Sequence, residues 1–446
     1  MVQQKSVRLR PVAKALVDSL RQFLTPAVWK QGHQALGRHR HGLRWDIQPL
    51  VLGLAVSAWC CGDSQPERFE AARAVCVLCR PKQRRPGQTT QGFQKALARL
   101  PMVVLRALAA GVRQRLAALL DLTLDGFMPL GCDGTRLTCP RSEELERFLC
   151  VANKKNSAPS VWLTAVVHLR TGVPWCWWLG KGHANERWHL QKMIPWLPAL
   201  TLLVADAGYL GYELMALLQQ RVSFLIRGCS KAPLYTTKLV KLAAFREGEC
   251  LYWPQEWQQK GAPPLRVRVL HLRKKKGHAR GQDVWLITNV LDPKRLSWEQ
   301  ASKYYRWRWE NEGFFRTYKR TLKKMKLESR TVALLHREAE GNMLALQLLL
   351  AMGALAQRGQ ATPPSSPRRL LLEVRQEIRA ASPKGRRRSF GRRVREALRE
   401  RRPRTSQKTK RPWPTREPHQ APKAPRFLKL TKALKAVLDQ VNYAYD

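Results

Sequence analysis

The sequence predicts an α/β protein, in which a mixed sheet flanked by helices follows a helical N-terminal region and precedes a basic C-terminal tail. Three observations support this class: helix-spaced apolar residues before residue 125, alternating short strands and helices after it, and a basic, strand-rich stretch at about 231–290. With 446 residues, 44% of them hydrophobic, the chain can form a large core. We therefore expect domains at 1–125, 126–357 and 358–446.

The N-terminal region has apolar residues at helical spacing. Leu16, Leu20 and Leu24 form one such series, and Leu105, Leu108, Val112 and Leu116 form another. Basic loops, such as the one at 80–87, separate these segments, and no catalytic pattern is present in this half. We interpret residues 1–125 as a helical DNA-binding domain.

The middle region alternates strand and helix patterns in the order expected for a mixed sheet. A hairpin turn is predicted at Arg170-Thr171-Gly172. The predicted strands lie at 130–137, 160–169, 173–179, 201–205 and 222–226, and the predicted helices lie at 186–197, 212–220, 297–326 and 338–357. The strand-rich stretch at about 231–290 is interpreted as a β insertion into this domain.

The C-terminal region is low in complexity and rich in Pro, Arg and Lys between residues 361 and 425. Too few apolar groups lie there to offset the entropy lost on ordering. We expect a basic, largely disordered tail over 358–446, apart from a helical pattern near Leu370 and a short terminal helix within 427–443.

The net charge of +49 predicts a polyanionic partner, because such a charge repels itself unless it is neutralised. Residues 356–446 hold 25 Lys and Arg against 7 Asp and Glu, so about +31 of the charge belongs to the rest of the chain. The folded body is therefore basic as well as the tail, as a groove for nucleic acid requires.

A membrane is the competing polyanionic surface, and the sequence argues against it. No run of about 18 apolar residues is present, and the longest apolar run, at 343–356, is interrupted by Gln347 and Gly353. This run is typical of a buried helix. Because the N-terminus carries no signal-peptide pattern, we expect a cytoplasmic, nucleoid-associated protein with no membrane partner.

The ten cysteines are scattered, with one cluster at Cys60, Cys61, Cys76 and Cys79. A structural zinc site needs four ligands in tetrahedral geometry, and an adjacent pair such as Cys60-Cys61 suits that geometry poorly. We favour reduced structural thiols over a zinc site.

One predicted helical face carries four polar residues: Tyr305, Arg308, Glu312 and Lys319. At about 100° per residue they fall within roughly 60° of one another around a regular helix. A core-facing stripe would be apolar, so this face is either functional or a solvated surface with local ion pairs such as Arg308 with Glu312.

Two aspartates interrupt or end apolar strands. Asp133 lies within the first predicted strand, and Asp206 ends Leu202-Leu203-Val204-Ala205. Such residues occur as simple helix N-caps. Together with Glu312, however, they supply three carboxylates from separate elements, and Mg²⁺ prefers carboxylates, waters and substrate phosphate. Two such ions stabilise the attacking and leaving oxygens of an in-line phosphoryl displacement.

The spacing Tyr305-x-x-Arg308-x-x-x-Glu312-x-x-x-x-x-x-Lys319 resembles the Tyr-Arg-Glu-Lys signature of DDE-type bacterial insertion-sequence transposases of the insertion-sequence-four superfamily. Asp133-Gly134-Thr135 is similar to the family's first-aspartate strand, and Val204 to Tyr209 is similar to the second. Phe224-Leu225-Ile226-Arg227 resembles the strand that follows. The resemblance covers about residues 128–350 and is weak in both terminal regions.

The resemblance implies a ribonuclease-H-like core with a β insertion, in which Asp133, Asp206 and Glu312 bind Mg²⁺, with Mn²⁺ as a substitute. It implies that Arg308, Lys319 and Arg227 contact DNA phosphates. It also implies that Tyr305 binds a phosphate or positions Glu312.

The resemblance suggests further roles for Trp285 and Glu186. Trp285 is similar to a Trp that stacks a flipped base in some family members, with Trp298 a weaker candidate; the alternative is a core residue on the last strand of the insertion. Glu186 is a candidate for assisting the metal site or positioning DNA, and the alternative is that Asn185 and Glu186 simply begin a helix.

The function we expect is DNA transposition, in which a homodimer pairs two transposon ends with terminal inverted repeats and joins them to target DNA. Two alternatives stay open on the sequence: a catalytically silent DNA-binding protein, and a ribonuclease-H-like nuclease acting on branched DNA or hybrids.

Overall fold

The computed structural model describes residues 14–37, 45–60, 62, 64–79, 84–149, 158–238, 240–273, 283–359, 365–379, 389–398 and 424–440. The chain forms two compact units from alternating segments. Unit 1 comprises Met1–Leu122, Gly134–Ala184 and Glu312–Arg401, and unit 2 comprises Thr123–Asp133, Asn185–Asn311 and Arg402–Asp446.

The described helices are α1 (Lys14–Phe23), α2 (Pro26–Leu36), α3 (Ile47–Trp59), α4 (Gln65–Cys79), α5 (Thr90–Arg99), α6 (Met102–Leu119), α7 (Glu143–Leu149), α8 (Glu186–Met193), α9 (Tyr212–Gln219), α10 (Gln255–Gln259), α11 (Trp298–Trp307), α12 (Trp309–Arg316), α13 (Val332–Ala356), α14 (Pro367–Arg379), α15 (Phe390–Glu396) and α16 (Lys432–Gln440). The described strands are β1 (Met128–Thr138), β2 (Ser160–His168), β3 (Pro174–Lys181), β4 (Thr201–Ala205), β5 (Ser223–Arg227), β6 (Pro233–Thr236), β7 (Glu247–Tyr252), β8 (Leu265–Leu272), β9 (Val284–Thr288) and β10 (Arg426–Lys429). The mixed α/β class is confirmed.

The core of unit 1 is organised around α13, which packs against α3 and α6. The helices approach closely at Gly341, where an added Cβ would lie 2.3 Å from the side chain of Leu54. Nearby, the indole N–H of Trp59 donates to the carbonyl of Ala345 at 3.1 Å. The N-terminal helices therefore share one core with a helix that lies some 250 residues later in the sequence.

By length and composition, α13 is apolar enough to cross a membrane, which corrects the expectation that the chain has no such stretch. Within unit 1, however, 83% of its most apolar window is buried. Gln347, which interrupts the apolar run, is itself buried and donates to the carbonyl of Pro174 at 3.0 Å. The interpretation of this segment as a buried core helix agrees with that packing.

Unit 1 also contains the predicted hairpin, in which β2 and β3 pair in antiparallel fashion. Gly172 adopts φ +73° at the turn, a conformation that favours glycine. The buried His168 closes the turn, since its Nδ1 lies 2.9 Å from the hydroxyl of Thr171.

In unit 2 the strands lie in the order β10-β6-β7-β8-β9-β5-β4-β1. β1, β4 and β5 run parallel to one another, whereas β5, β9, β8, β7 and β6 pair in antiparallel fashion. The strands β6 to β9 fall within the predicted β insertion. β1 crosses from unit 2 to unit 1 after Asp133, so the boundary between the units cuts through one strand.

The predicted boundaries near residues 125 and 357 do not separate compact units, because the N-terminal helices pack with α13. The helices predicted near Leu370 and within 427–443 correspond to α14 and α16, whereas the expectation of disorder is wrong for α15 and β10. In unit 2 the terminal segment buries Leu430 and Leu438 with Leu251 and Trp253. The remainder of the predicted tail, including 399–423, lies outside the described residues.

Candidate active site

The parallel strands of unit 2 bring Asp133 and Asp206 to the same edge of the sheet. Gly131 pairs with Val204 in the register of β1 and β4, and each aspartate follows its strand partner by two residues. Because side chains alternate along a strand, the two carboxylates project toward the same face. Ligands of α/β sheets bind at this carboxyl edge.

Arg227 extends this row onto the third parallel strand. Ala205 pairs with Ile226, so Arg227, the last residue of β5, lies in register with Asp206. Both side chains are half-buried. The edge therefore carries two carboxylates and a guanidinium on three adjacent strands.

Asp206 also acts as an N-cap, which was the alternative interpretation of this residue. Its Oδ1 accepts a hydrogen bond from the backbone N–H of Gly208 at 2.8 Å and begins a short 3₁₀ turn over Ala207–Tyr209. Oδ2 takes no part in that bond. The cap fixes the orientation of the carboxylate and leaves its second oxygen for another partner.

Tyr209, to which the sequence assigned no role, interacts electrostatically with Asp133 and Glu186. It is buried, and its hydroxyl donates to Oε2 of Glu186 at 2.9 Å. Burial raises the pKa of Tyr209, and Cys132, Glu186 and Asp133 raise it further, so the hydroxyl keeps its proton. Asn185 caps α8 through the backbone N–H of Arg187, as the helix-start interpretation required.

Tyr305 and Arg308 adjoin the same edge within unit 2. Burial raises the pKa of the Tyr305 hydroxyl, the guanidinium groups of Arg308 and Arg227 lower it, and Asp206 raises it. The Arg308 guanidinium carbon lies 5.7 Å from the centre of the Tyr305 ring. These electrostatic contacts bring Tyr305, Arg308, Arg227 and Asp206 into one neighbourhood.

Three polar atoms in this neighbourhood are buried without a hydrogen-bond partner among the described residues: Tyr305 Oη, Arg308 Nε and Arg227 Nε. An unsatisfied buried donor is costly, and such groups in native proteins call for an explanation such as an absent ion. Donors of this kind, two of them on guanidinium groups, suit the oxygens of a phosphate.

The helix that carries the four-residue signature is not regular, which corrects the prediction of one continuous helix over 297–326. α11 ends at Trp307, Arg308 forms a turn, and α12 resumes at Trp309. Residues Thr317–Thr321 then form a π-helical turn. The four signature residues therefore do not lie on one face of a single regular helix. Turns of the π-helical type occur frequently at functional sites.

Glu312 and Lys319 belong to unit 1, where Glu312 is exposed. The ammonium of Lys319 donates to the hydroxyl of Thr135 at 2.7 Å, and burial lowers the pKa of this lysine. Thr135 follows Asp133 by two residues on β1. Within the part of the chain that the structure describes, no three His, Cys, Asp or Glu side chains converge on a point that would hold a metal ion.

Trp285 is buried in this structure, which agrees with the alternative interpretation of a core residue on the last strand of the insertion. Its side chain is 5% exposed, and the ring of His271 stacks on it at 3.9 Å with an interplanar angle of 6°. The rings of Phe245 and Phe427 pack around it at 5.6 and 5.7 Å. A base would have to displace these rings.

Trp309 is a residue that the sequence analysis missed. It is 59% exposed, and the Arg308 guanidinium carbon lies 5.0 Å from the centre of its ring. A signal was available, because Trp309 directly follows a signature residue. Trp298 is half-buried beneath Arg246, with its indole N–H donating to the carbonyl of His271 at 3.3 Å.

The cysteine cluster gives no support to zinc binding. Cys76 is buried, Cys60 and Cys79 are half-buried, and Cys61 lies outside the described residues. Burial raises the pKa of Cys79 to about 11, which disfavours the thiolate that a metal requires.

Comparison with known protein families identifies the class of domain that this geometry fits. Residues 132–348, just under half of the chain, match the family model described as transposase DDE domain. The match includes Asp133, Asp206 and Glu312, and it supports a DDE transposase, a class of enzyme that cuts DNA and transfers its strands.

Among solved structures, the chain is similar to a cryo-EM structure of a piggyBac transposase synaptic complex with hairpin DNA. The identity is 11% and the TM-score 0.41, over 87% of this chain and 86% of that one. A comparison with curated proteins gave no match.

Proposed function

We propose that the protein is a DNA transposase that cuts transposon ends and joins them to target DNA by phosphodiester hydrolysis and strand transfer. The observation that carries the proposal is the register of Asp133 with Asp206 beside the unpaired donors of Tyr305, Arg308 and Arg227. In this proposal the parallel strands belong to a ribonuclease-H-like core that carries the β6–β9 insertion.

Asp133 and Asp206 would hold Mg²⁺, or Mn²⁺ in its absence. The donor set fits, because this ion takes one or two carboxylates and completes its coordination with waters and substrate phosphate. Glu312 is assigned as the third ligand by its position in the signature. When bound, such ions stabilise the attacking and leaving oxygens of an in-line displacement.

The chain's own residues would bind and orient the scissile phosphate. Arg308 and Arg227 would donate to its non-bridging oxygens, and Tyr305, whose pKa is raised by burial, keeps its hydroxyl proton for the same purpose. Lys319, held at Thr135, would contact an adjacent phosphate. In hydrolysis, water attacks phosphorus and leaves a 3′-hydroxyl, which attacks a target phosphodiester in the transfer step.

Trp309, rather than Trp285, is the aromatic residue available for stacking on a base near the cut. Its exposed indole and the guanidinium of Arg308 offer a stacking face beside a phosphate donor. In Trp285 the stacking face is covered by His271.

The partners in this proposal are duplex DNA with terminal inverted repeats and a target duplex. The helices α1–α6 would bind the repeats, the basic C-terminal region would hold flanking or target DNA, and a homodimer would pair the two ends. We propose a cytoplasmic, nucleoid-associated location, since the net charge of +49 favours DNA as the partner.

The test is a cleavage assay with purified protein and a labelled duplex of the terminal repeat that flanks its gene. Nicking at the repeat boundary that requires Mg²⁺ and is lost in Asp133→Asn supports the proposal. Specific binding without cleavage would instead indicate a silent DNA-binding protein. Cutting confined to branched or hybrid substrates would indicate a nuclease.

A further inference from the structure

The turn between α11 and α12 in unit 2 aligns three residues that would spread over roughly 120° around a regular helix. The backbone N–H of Arg308 donates to the carbonyl of Tyr305 at 3.1 Å, and the N–H of Asn311 donates to the carbonyl of Arg308 at 3.0 Å. Both bonds span three residues, as in a 3₁₀ turn, in which side chains three residues apart eclipse one another. Tyr305, Arg308 and Asn311 therefore form one row, which we call the 305–308–311 row.

Each residue of the row carries buried polar atoms that have no hydrogen-bond partner among the described residues. They are Tyr305 Oη, Arg308 Nε, and both Oδ1 and Nδ2 of Asn311. Asn311 is 0% exposed, so the whole carboxamide is withheld from bulk solvent. Because burying an amide without partners is costly, a ligand of the row is the explanation that its position suggests.

Asn289 shows how unit 2 uses an asparagine amide for structure. Its Oδ1 accepts from the backbone N–H of Phe224 at 2.8 Å, and its Nδ2 donates to the carbonyl of Val222 at 3.0 Å. The amide thus holds the end of β9 to the start of β5. No described residue holds the amide of Asn311 in this way.

The chemistry of the Asn311 amide narrows the choice of ligand. Its Nδ2 needs an acceptor, which a phosphate oxygen provides, but its Oδ1 needs a donor, which a phosphodiester lacks. Water both donates and accepts, and waters commonly bridge buried groups of this kind. The row also lies close to a proposed catalytic carboxylate, since the charge of Asp206 acts on the hydroxyl of Tyr305.

We propose that Asn311 positions the water that attacks the scissile phosphodiester, an inference that rests on the proposed function. Oδ1 accepts a hydrogen bond from the water, and Nδ2 donates to a non-bridging oxygen of the phosphate on Arg308. A bond forms between the water oxygen and phosphorus, and the bond from phosphorus to the 3′-oxygen breaks. The water loses one proton and the departing 3′-oxygen gains one. The amide takes neither, because it is not a base at neutral pH.

Two reactions of the full chain separate this role from a structural one. The first is Mg²⁺-dependent nicking of a duplex terminal repeat, in which free water is the nucleophile. The second is transfer to a target plasmid from a repeat that already ends in a 3′-hydroxyl, which the DNA itself holds in place. Asn311→Leu lowers the nicking rate by about 100-fold, a loss typical of one preorganised hydrogen-bonding group. It lowers strand transfer by less than about tenfold, because the tethered hydroxyl depends less on the amide.

The unfolding temperature is an independent measurement. Asn311→Leu replaces an unpaired buried amide by an apolar group of similar size, so Tm stays the same or rises. The matched control is Asn289→Leu, which leaves the N–H of Phe224 and the carbonyl of Val222 unpaired. In this control Tm falls, and both reactions decrease in the same proportion. Asn311→Ser keeps a donor and an acceptor, so it loses less nicking than Asn311→Leu.

Three results would each overturn the inference while the proposed function stands: a lower Tm in Asn311→Leu, equal losses of nicking and strand transfer, or nicking at the wild-type rate. Asp206→Asn loses both reactions, which distinguishes loss of the carboxylate from loss of the positioned water. A wild-type protein that neither nicks nor transfers would overturn the proposed function and the inference with it.

Discussion

Unit 2 contains two candidate regions that differ in packing: one leaves buried polar atoms without partners, and the other covers its aromatic ring. At the carboxyl edge of β1, β4 and β5, Tyr305, Arg308 and Arg227 retain buried polar atoms without partners. In the antiparallel insertion, the ring of Trp285 is covered by His271, Phe245 and Phe427. The first region leaves hydrogen-bonding atoms without partners, which the proposed DNA site would use, whereas the second region is closely packed core.

The difference shows that a sequence resemblance carries over to a residue only where the packing around it leaves its side chain available. A residue at the end of a parallel strand is held at the ligand-binding edge by topology. A residue within an antiparallel strand faces whatever packs on the sheet. Trp285, the second residue of β9, faces such a packing layer.

The largest expected effect is on cleavage in Asp206→Asn. Removing the charge should lower the rate by about 100- to 1,000-fold, as loss of a group that stabilises transition-state charge does. Asparagine can still accept from the backbone of Gly208, so folding should be retained. A cleavage assay with Asp292→Asn as the matched capping control measures this. If Asp206→Asn cuts DNA at the wild-type rate, the carboxyl edge of the sheet is not the catalytic site.

The second prediction contrasts two tryptophans. Trp285→Ala should lower the free energy of unfolding by about 3–5 kcal/mol, because it leaves a cavity in packed core. Trp309→Ala, at an exposed position, should change it by less than about 0.5 kcal/mol and should weaken DNA binding instead. Urea denaturation and DNA titration of both variants measure the contrast. Reversed effects would show that the insertion, not the edge, meets DNA.

Arg308→Ala should reduce DNA affinity by about 10- to 100-fold, because a hydrogen bond to a charged group contributes about 1.5–3 kcal/mol. Arg308→Lys should recover only part of the loss, since an ammonium lacks the planar fork. The control is Arg306→Ala, at an exposed position two residues earlier near the end of α11. Equal losses at 306 and 308 would mean that only net charge matters.

The smallest effect is on the salt dependence of binding. Arg227→Gln should reduce the slope of log K against log salt by about 1, the value for one lost phosphate contact. Exposed Arg221 provides the matched control, and Arg221→Gln should leave the slope closer to that of the wild type. An unchanged slope in Arg227→Gln would show that this guanidinium has a structural role and does not contact DNA phosphate.

The sequence predicted the local elements that hydrophobic patterning determines. The strand at 201–205, the hairpin turn at Gly172 and the helices before residue 125 lie where patterning and turn chemistry indicate. The side-by-side arrangement of Asp133 and Asp206 required the pairing of β1 with β4, which no local pattern encodes.

The remaining differences arose from long-range packing. The use of α13 as a shared core helix and the docking of β10 on β6 depend on contacts between segments far apart in the chain. The helix is interrupted at Arg308 and forms a π-helical turn at Thr317–Thr321. A calculation that assumes a constant rotation of about 100° per residue cannot predict either irregularity. Trp309 has no place in the signature spacing, so the motif alone did not predict its exposure.

The interleaved make-up of the two units has a consequence for biosynthesis. Unit 1 includes α13, which begins at Val332, and the sheet of unit 2 includes β10, which begins at Arg426. At about 5–20 residues per second, the N-terminal helices wait roughly tens of seconds for these segments. Neither core can be completed before its distant segment has been translated, so the apolar faces of the N-terminal helices are without their partner α13 during that interval.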